Sequence, residues 1–146
     1  MRLLSVLLVC WSLGGQQSAR GSGGAMEESS DAVKKDLIAV VEAQLVAFRD
    51  GDYARAYGFA APGIQSMMPP ETFEKMVRTG YPLIARSSNA DFGVALDTGE
   101  DAVLAVRITG ADEKGTTAEY LYTLSKADGS WKITGVSEVR PGGIEA

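Results

Sequence analysis

The side chains that could do chemistry in this sequence are few in kind. The 146-residue chain contains no histidine, and its one cysteine, Cys10, lies in an apolar run near the N-terminus. A Ser-His-Asp triad, a Cys-His pair and an ordinary zinc site are therefore excluded. Carboxylates, tyrosines, lysines and arginines remain, and no motif assigns any of them a catalytic role. We accordingly predict no metal site and no cofactor, and we name no catalytic residue.

Aromatic side chains are the best candidates for binding. Tyr120, Tyr122 and Trp131 share one face of the predicted sheet, and Tyr81 and Phe92 complete the candidate pocket residues. Such a pocket would be apolar, with hydroxyl and indole groups that orient a small molecule. The alternative is that these residues are ordinary core, in which each polar tip finds a backbone partner. The sequence leaves both interpretations open.

The N-terminus has the pattern of an export signal. Met1 and Arg2 form a short basic start, and Leu3 to Leu13 form an apolar run well short of the ~20 residues that span a bilayer. Small residues favour cleavage after Ala25, with Ala19 as the alternative position. We therefore expect residues 1–25 to be a signal peptide that is removed, and the mature protein to be periplasmic or secreted. The other interpretations are an uncleaved hydrophobic tail and a wrongly chosen start codon.

Composition and charge limit the partners. The chain has 45% hydrophobic and 23% charged residues, which fits one globular domain with its own core. It carries 14 basic against 19 acidic residues, and loss of Arg2 and Arg20 with the signal peptide would leave a net charge of −7. Binding to nucleic acid or to an anionic membrane needs grouped basic residues, which this sequence lacks. We predict neither kind of partner.

Periodicity predicts helices in the first part of the domain. After a polar tether at 26–30, apolar residues at helical spacing predict a long helix from Asp31 that ends at Asp50 and Gly51. Asp52 can cap a second, shorter helix, which Pro62 and Gly63 would close. A third helix is predicted from Glu71 to about Thr79, since Pro70 suits a first helical position. Residues 83–90 are then expected to form an irregular connector.

Alternating strands follow, and their register can be predicted from the turns. A two-residue turn at Asp128 and Gly129 pairs Leu124 with Ile133 and Tyr122 with Gly135. A three-residue loop at 113–115 pairs Ile108 with Tyr120 and keeps the apolar side chains on one face. That face would carry Leu104, Val106, Ile108, Tyr120, Tyr122, Leu124, Trp131 and Ile133, joined by Phe92, Val94 and Leu96.

Helices that precede a meander of antiparallel strands predict an α+β domain over residues 31–140, with a tail at 141–146. The helices are expected to cover the apolar face of the sheet, because neither layer can bury its apolar side alone. Arg107, Glu119, Thr123, Lys132 and Thr134 would lie on the opposite, outer face.

A resemblance to a known family is carried by residues spread along the chain. They are Gln44, Leu45, Ala47, Phe48, Asp52, Ala56, Tyr57, Ala60, Ala61, Pro62, Ile64, Phe73, Met76, Val77, Tyr81, Tyr120, Leu124, Asp128, Gly129, Trp131, Lys132, Ile133, Gly135 and Val136. Residues 33 to 138 resemble an uncharacterised bacterial domain family, which looks like a member of the nuclear-transport-factor-two-like superfamily. That superfamily also hosts ketosteroid isomerase, scytalone dehydratase and polyketide cyclases. The resemblance implies a cone-shaped roll with N-terminal helices on a curved antiparallel sheet of about four strands, and a pocket between sheet and helices.

The leading functional hypothesis is an exported, non-enzymatic module that binds a small apolar ligand or a protein partner, because a fold of this kind hosts many functions. By analogy with the isomerases of the superfamily, the alternative is a cofactor-independent isomerase or dehydratase that uses a carboxylate and a tyrosine. Its candidate carboxylates are Asp91, at a strand start, and Asp97, in a turn-like stretch. At such positions an aspartate usually caps a strand or stabilises a turn. A third hypothesis is a homodimer that forms through the outer sheet face, with Leu121 and Val136 at its centre.

Overall fold

The computed structural model describes residues 25–139, and within that range the chain forms five helices and five strands. The predicted tail and residues 1–24 of the predicted signal peptide lie outside the described residues. None of the helices in the described range is long and apolar enough to cross a membrane. The elements in chain order are β1 (Glu27–Glu28), α1 (Asp31–Arg49), α2 (Tyr53–Gly58), α3 (Pro62–Met67), α4 (Pro70–Gly80), α5 (Pro82–Ala85), β2 (Ser87–Asp97), β3 (Asp101–Gly110), β4 (Thr117–Ala127) and β5 (Ser130–Val139).

The long helix α1 begins and ends where the sequence predicts. The Ser30 hydroxyl oxygen accepts a hydrogen bond from the Val33 backbone N–H at 3.1 Å, which satisfies one of the free donors of the first turn. The chain leaves the helix at Gly51, whose φ of 74° is easily reached only by glycine. The apolar face of α1 is fully buried at Leu37, Val41 and Leu45. This face packs on β2 and β5.

Two short helices were not predicted. Pro62 was interpreted as the end of α2, and residues 83–90 as an irregular connector. In the structure Pro62 opens α3 and Pro82 opens α5, because a proline at the first helical position loses no intrahelical hydrogen bond. Strand β2 then begins at Ser87, so the predicted connector is wrong over most of its length.

The five strands form one antiparallel sheet in the order β1-β2-β3-β4-β5, with the helices packed on one face. The α+β class, with helices on a curved antiparallel sheet, is therefore confirmed. All eight residues predicted for the inner face of β3, β4 and β5 are buried. Outside, the Arg107 guanidinium donates to the Glu119 carboxylate at 2.7 Å, an exposed ion pair that contributes little to stability.

The segment expected as a polar tether, residues 26–30, adds an edge to this sheet. Glu27 pairs with Asp97 and Glu28 with Leu96, and the Ser29 N–H donates to the Ala95 carbonyl at 2.9 Å. The fifth strand, beyond the four or so expected, is this two-residue β1.

The last hairpin turns where predicted but contains a bulge. Asp128 and Gly129 have positive φ values of 53° and 80°, and Leu124 pairs with Ile133 as predicted. Beyond that pair the register shifts by one residue, so that Tyr122 pairs with Val136 and not with Gly135. Because a shift of one residue reverses the face, Val136 lies on the inner side of the sheet. Its predicted place on the outer face was wrong.

The β3–β4 loop is longer than predicted, without an effect on the faces. Val106 pairs with Tyr120, whereas the predicted three-residue loop would have paired Ile108 with Tyr120. The Gly110 N–H donates to the Thr116 carbonyl at 2.7 Å, so the loop spans residues 111–115. A shift by two residues preserves the alternation of side chains, which explains why the buried face was still predicted correctly.

A second bulge, in β2, changes which of its side chains face the core. Phe92 pairs with Val106 and Ala95 with Leu104, so Gly93 and Val94 together lie opposite one residue of β3. Ala95 takes the buried position, and Val94 is 61% exposed. Val94 was therefore wrongly predicted to be on the inner face, whereas Phe92 does pack against the core.

Candidate functional site

An apolar cavity of about 230 Å³ lies between the inner face of the sheet and the helices. Its floor is formed by buried side chains of α1, α4, β4 and β5. Its mouth is rimmed by partly exposed residues of α3, α4 and β5, so a small molecule has a route of entry. The lining consists of Gln44, Phe48, Ala60, Ile64, Met68, Phe73, Met76, Val77, Tyr81, Ile84, Tyr122, Ile133, Gly135 and Val136.

Tyr122 is the most unusual residue of this cavity. Its side chain is fully buried, and its hydroxyl has no hydrogen-bond partner among the described residues. Burial raises the pKa of the phenol above its ordinary value, and the neighbouring Tyr120 and Tyr81 hydroxyls raise it further. The group is therefore a neutral donor and acceptor. An unpaired hydroxyl in such a place costs about 1–3 kcal/mol.

Gln44 is the second polar group of the lining. It lies on the buried stripe of α1 and is 4% exposed. Its side-chain Nε2 donates to the Ala56 carbonyl at 3.1 Å, which fixes the amide and ties α1 to α2. No hydrogen bond among the described residues uses its side-chain oxygen, Oε1. Gln44 therefore supplies the cavity with a positioned acceptor.

Tyr81 closes one side of the mouth. Its hydroxyl donates to the Val136 carbonyl at 3.2 Å, which joins the end of α4 to the free edge of β5. Further along that edge, the Ala61 N–H donates to the Ile133 carbonyl at 2.8 Å, and the Ile133 N–H donates to the Phe59 carbonyl at 2.9 Å. These bonds occupy edge groups of β5 that would otherwise be open to pairing with another chain.

A compact set of hydrogen bonds positions the α3 wall. The Tyr57 hydroxyl lies 3.0 Å from the Gln65 carbonyl oxygen and 2.8 Å from that of Met68. In return, the Gln65 Nε2 donates to the Tyr57 carbonyl at 2.9 Å and to the Ala60 carbonyl at 3.2 Å. Because both ends of α3 are fixed in this way, Ile64 and Met68 are held at the rim of the cavity.

The structure brings together two of the five candidate pocket residues. Tyr81 and Tyr122 line the cavity, whereas Phe92, Tyr120 and Trp131 lie elsewhere on the inner face. The Trp131 ring is 5% exposed and has the Lys126 ammonium 5.3 Å from its centroid. Partial burial and the nearby Glu138 carboxylate raise the pKa of Tyr120, which lines a separate open hollow.

The candidate carboxylates of the isomerase hypothesis do not reach this cavity. Asp91 is an exposed residue of β2, and the Asp97 carboxylate accepts hydrogen bonds from the Ser29 hydroxyl and, at 2.8 Å, from the Gly99 N–H. Among the described residues, neither a carboxylate nor a cationic side chain lines the cavity. The same part of the chain contains no cluster of side chains suited to a metal ion.

A hollow on another surface contains three arginines, of which Arg49 and Arg78 have a structural role. Arg49 donates to the Ser87 carbonyl and hydroxyl at 3.1 Å, and Arg78 pairs with Glu74 at 2.8 Å. Arg49 and Arg78 lie in the last turns of α1 and α4, and Arg86 follows the last residue of α5. The cations of Arg49 and Arg78 offset the negative ends of α1 and α4, so we do not treat this hollow as the site.

Most of the lining was not singled out from the sequence. Gln44 had a detectable signal, since a polar residue at the position between Val41 and Phe48 interrupts an otherwise apolar helical stripe. Phe73, Met76 and Val77 recur at helical spacing in α4, but this spacing predicts only a buried helix face and does not indicate a cavity. Val136 could not be found, because its face depends on the bulge in β5.

Comparisons with known proteins agree with this fold. The chain is similar in structure to a SEC-C motif containing protein from Rhodopseudomonas palustris, with a TM-score of 0.53 and 13% sequence identity. The similarity covers 82% of this chain and 96% of that one. At this identity the likeness concerns the fold alone.

No curated protein matches the sequence. A protein-family model described as a domain of unknown function, DUF4864, matches residues 30–146. This match includes every described element from α1 onward. The chain therefore belongs to the DUF4864 family of domains of unknown function.

Proposed function

We propose that this protein is an exported, non-enzymatic binding module that holds one small, largely apolar molecule in the central cavity. The observation that carries the proposal is the buried, unpartnered Tyr122 hydroxyl beside an apolar cavity. A polar group left in this state destabilises the empty protein, and a ligand that bonds to it would remove that cost. Packing of the core needs no hydroxyl at this position, since phenylalanine would fill nearly the same space.

Cavity size sets the scale of the ligand. Apolar cavities of roughly 150 Å³ hold benzene, and drug-sized ligands occupy roughly 300–1,000 Å³. A volume of about 230 Å³ lies between these cases. We therefore propose a ligand with roughly ten non-hydrogen atoms, enclosed by side chains such as Phe48, Phe73 and Ile133.

The absence of a carboxylate from the described lining favours binding over isomerase chemistry. General-base catalysis requires a base within hydrogen-bond reach of the proton that it removes. Tyr122 is neutral, and burial makes it a poor base at ordinary pH. We also propose, from the helices and cavity on one face of a curved meander, that the fold belongs to the nuclear-transport-factor-two-like superfamily.

The test begins with the protein from its own host. Residues 26–146 are purified gently from the exported fraction and measured by native mass spectrometry, and an organic extract of the denatured protein is analysed in parallel. We expect a reproducible extra mass that disappears on denaturation. Absence of any extractable small molecule, together with no binding of ethylbenzene or para-ethylphenol by the purified protein, would refute the proposal.

A matched pair of variants locates the ligand. Val136→Phe fills the mouth of the cavity, whereas Val139→Phe makes the same change at a 48% exposed position on the same strand, outside the lining. The first variant should lose the ligand and the second should retain it. Retention in both would show that the molecule binds elsewhere.

A further inference from the structure

The polar groups of the cavity restrict what the polar end of the ligand can be. Within the described residues, the lining offers Tyr122, Gln44 and Tyr81 as its only polar side chains. The Tyr81 hydroxyl proton is already donated to the Val136 carbonyl. Tyr122 is therefore the tyrosine of the described lining whose hydroxyl proton is still free for a ligand, and Gln44 is the one amide beside it.

These two groups are complementary in kind. The Tyr122 hydroxyl has a proton to donate and no acceptor for it among the described residues. Gln44 donates one amide N–H to the Ala56 carbonyl, which fixes the amide, and its Oε1 can accept a hydrogen bond from a ligand. Because both side chains line the same cavity, a ligand group that both accepts and donates is the kind that can bond to the two together. A hydroxyl is the smallest group of this kind.

Charge excludes the common alternatives. A ligand carboxylate or ammonium inside the cavity would lose its hydration without gaining a counter-ion, because no charged side chain belongs to the described lining. Burial of an unpaired charge is far more costly than burial of a hydrogen-bonded neutral group. A fatty acid or an amine with its head group inside is therefore a poor ligand.

We propose that the cavity is selective for an uncharged hydroxyl compound, such as a small phenol or alcohol, whose hydroxyl accepts from Tyr122 and donates to Gln44. This inference rests on the proposed binding function and specifies the chemical class of its ligand. The apolar body of the compound would contact the aromatic and aliphatic walls, which do not distinguish one polar end from another.

The test is a series of probes with one apolar body and different polar ends. Ethylbenzene, para-ethylphenol, para-ethylanisole, para-ethylbenzoate and para-ethylbenzylammonium are titrated into the isotopically labelled full mature chain near neutral pH. Chemical-shift changes of the cavity residues give the affinities. We expect para-ethylphenol to bind on the order of tenfold more tightly than ethylbenzene, because its hydroxyl gains one or two buried hydrogen bonds between neutral groups. Para-ethylanisole, which accepts but cannot donate, should fall between them.

Tyr122→Phe is the discriminating variant because it removes the hydroxyl and leaves the ring in place. The variant should bind ethylbenzene as tightly as the natural protein does, or more tightly, and should lose most of its preference for para-ethylphenol. Gln44→Met should reduce the difference between para-ethylphenol and para-ethylanisole. Circular dichroism of each variant shows whether the fold is retained.

The outcomes separate the two proposals. Equal affinity for ethylbenzene and para-ethylphenol would overturn the hydroxyl inference and leave the binding function in place. Affinity for para-ethylbenzoate or para-ethylbenzylammonium equal to that for para-ethylphenol would also overturn it. If none of the probes binds and the host protein yields no ligand, the binding function itself fails.

Discussion

At the scale of single residues, two tyrosines on the same cavity have opposite energetic roles. The Tyr81 hydroxyl has a backbone acceptor, whereas the Tyr122 hydroxyl is buried without a partner in the described structure. A satisfied buried hydroxyl contributes about 0.5–1.5 kcal/mol to stability, and an unsatisfied one costs a similar or larger amount. Replacement of tyrosine by phenylalanine should therefore change stability in opposite directions at the two positions.

Tyr122→Phe should raise the free energy of unfolding of the ligand-free protein by about 1 kcal/mol, because it removes a desolvated hydroxyl without breaking a hydrogen bond. Tyr81→Phe should lower it by about 1 kcal/mol, because the Val136 carbonyl loses its donor. Urea denaturation followed by circular dichroism measures both changes. A loss of stability in Tyr122→Phe would mean that the hydroxyl is satisfied in the folded protein, contrary to the structure.

The raised pKa of Tyr122 predicts a specific loss of stability at alkaline pH. Below about pH 10 the phenol is protonated in both the folded and the unfolded chain, so it adds no pH dependence. Above that value the unfolded chain releases the proton while the folded chain retains it, and stability falls by up to about 1.4 kcal/mol per pH unit. Denaturation curves at rising pH should therefore fall more steeply for the natural protein than for Tyr122→Phe. Equal slopes would contradict the buried state of the phenol.

At the scale of elements, bulges in the strands decide which side chains form the site. In β5 one extra residue brings Val136 to the inner face, and in β2 a similar bulge exchanges Val94 for Ala95. The tight turn between β4 and β5 keeps the first pairs in register, so the bulge changes the pairing only from Gly135 onward, where Gly135 and Val136 join the cavity lining. The conformation of the turn can be tested by a single substitution at Gly129.

Gly129→Ala should lower the free energy of unfolding by about 1–2 kcal/mol, because φ of 80° places a side chain in the unfavourable left-handed region. Gly63→Ala is the matched control, since this glycine lies within α3, has open space around the position of a Cβ atom and has no positive φ. That change should be neutral or raise stability by up to about 1 kcal/mol. Thermal unfolding of the two variants checks the opposite signs. The same sign in both would mean that the turn conformation is not maintained.

At the scale of the whole molecule, stability comes from packing and from sheet pairing. Cys10 is the single cysteine of the chain, so no disulfide can form within it. Helices α1, α4 and α5 and the inner face of the sheet share one cluster of buried side chains, and the cavity lies within this cluster. The family match starts at residue 30, and the only described strand that lies before it is β1, at Glu27–Glu28.

The proposed export predicts a mature protein that begins at Met26. Cleavage after Ala25 would leave β1 intact at the start of the chain, where it pairs with Leu96 and Asp97. Mass spectrometry of the N-terminal peptide from the exported fraction of the host measures the position. A start at Arg20 would support the alternative cleavage after Ala19, and an intact Met1 in all fractions would refute export by a cleaved signal.

The sequence by itself determined the α+β class, the limits of α1, the tight turn at Asp128 and Gly129, and the buried face of β3 and β4. These features depend on local rules: helical periodicity, capping side chains, glycine conformations and the alternation of side chains along a strand. The helices α3 and α5 were missed because proline can either end one helix or start the next.

Only the tertiary structure decided the site. Whether an aromatic residue packs in the core or lines the cavity depends on what lies against the tip of its side chain. Tyr122 lines the cavity and Trp131 does not, although both are buried on the same face of the sheet. The position of Val136 depends on a bulge, which is set by pairing between β4 and β5 and not by the residues of β5 alone. An unpartnered hydroxyl is a property of all its neighbours at once, so no pattern within one segment of sequence can predict it.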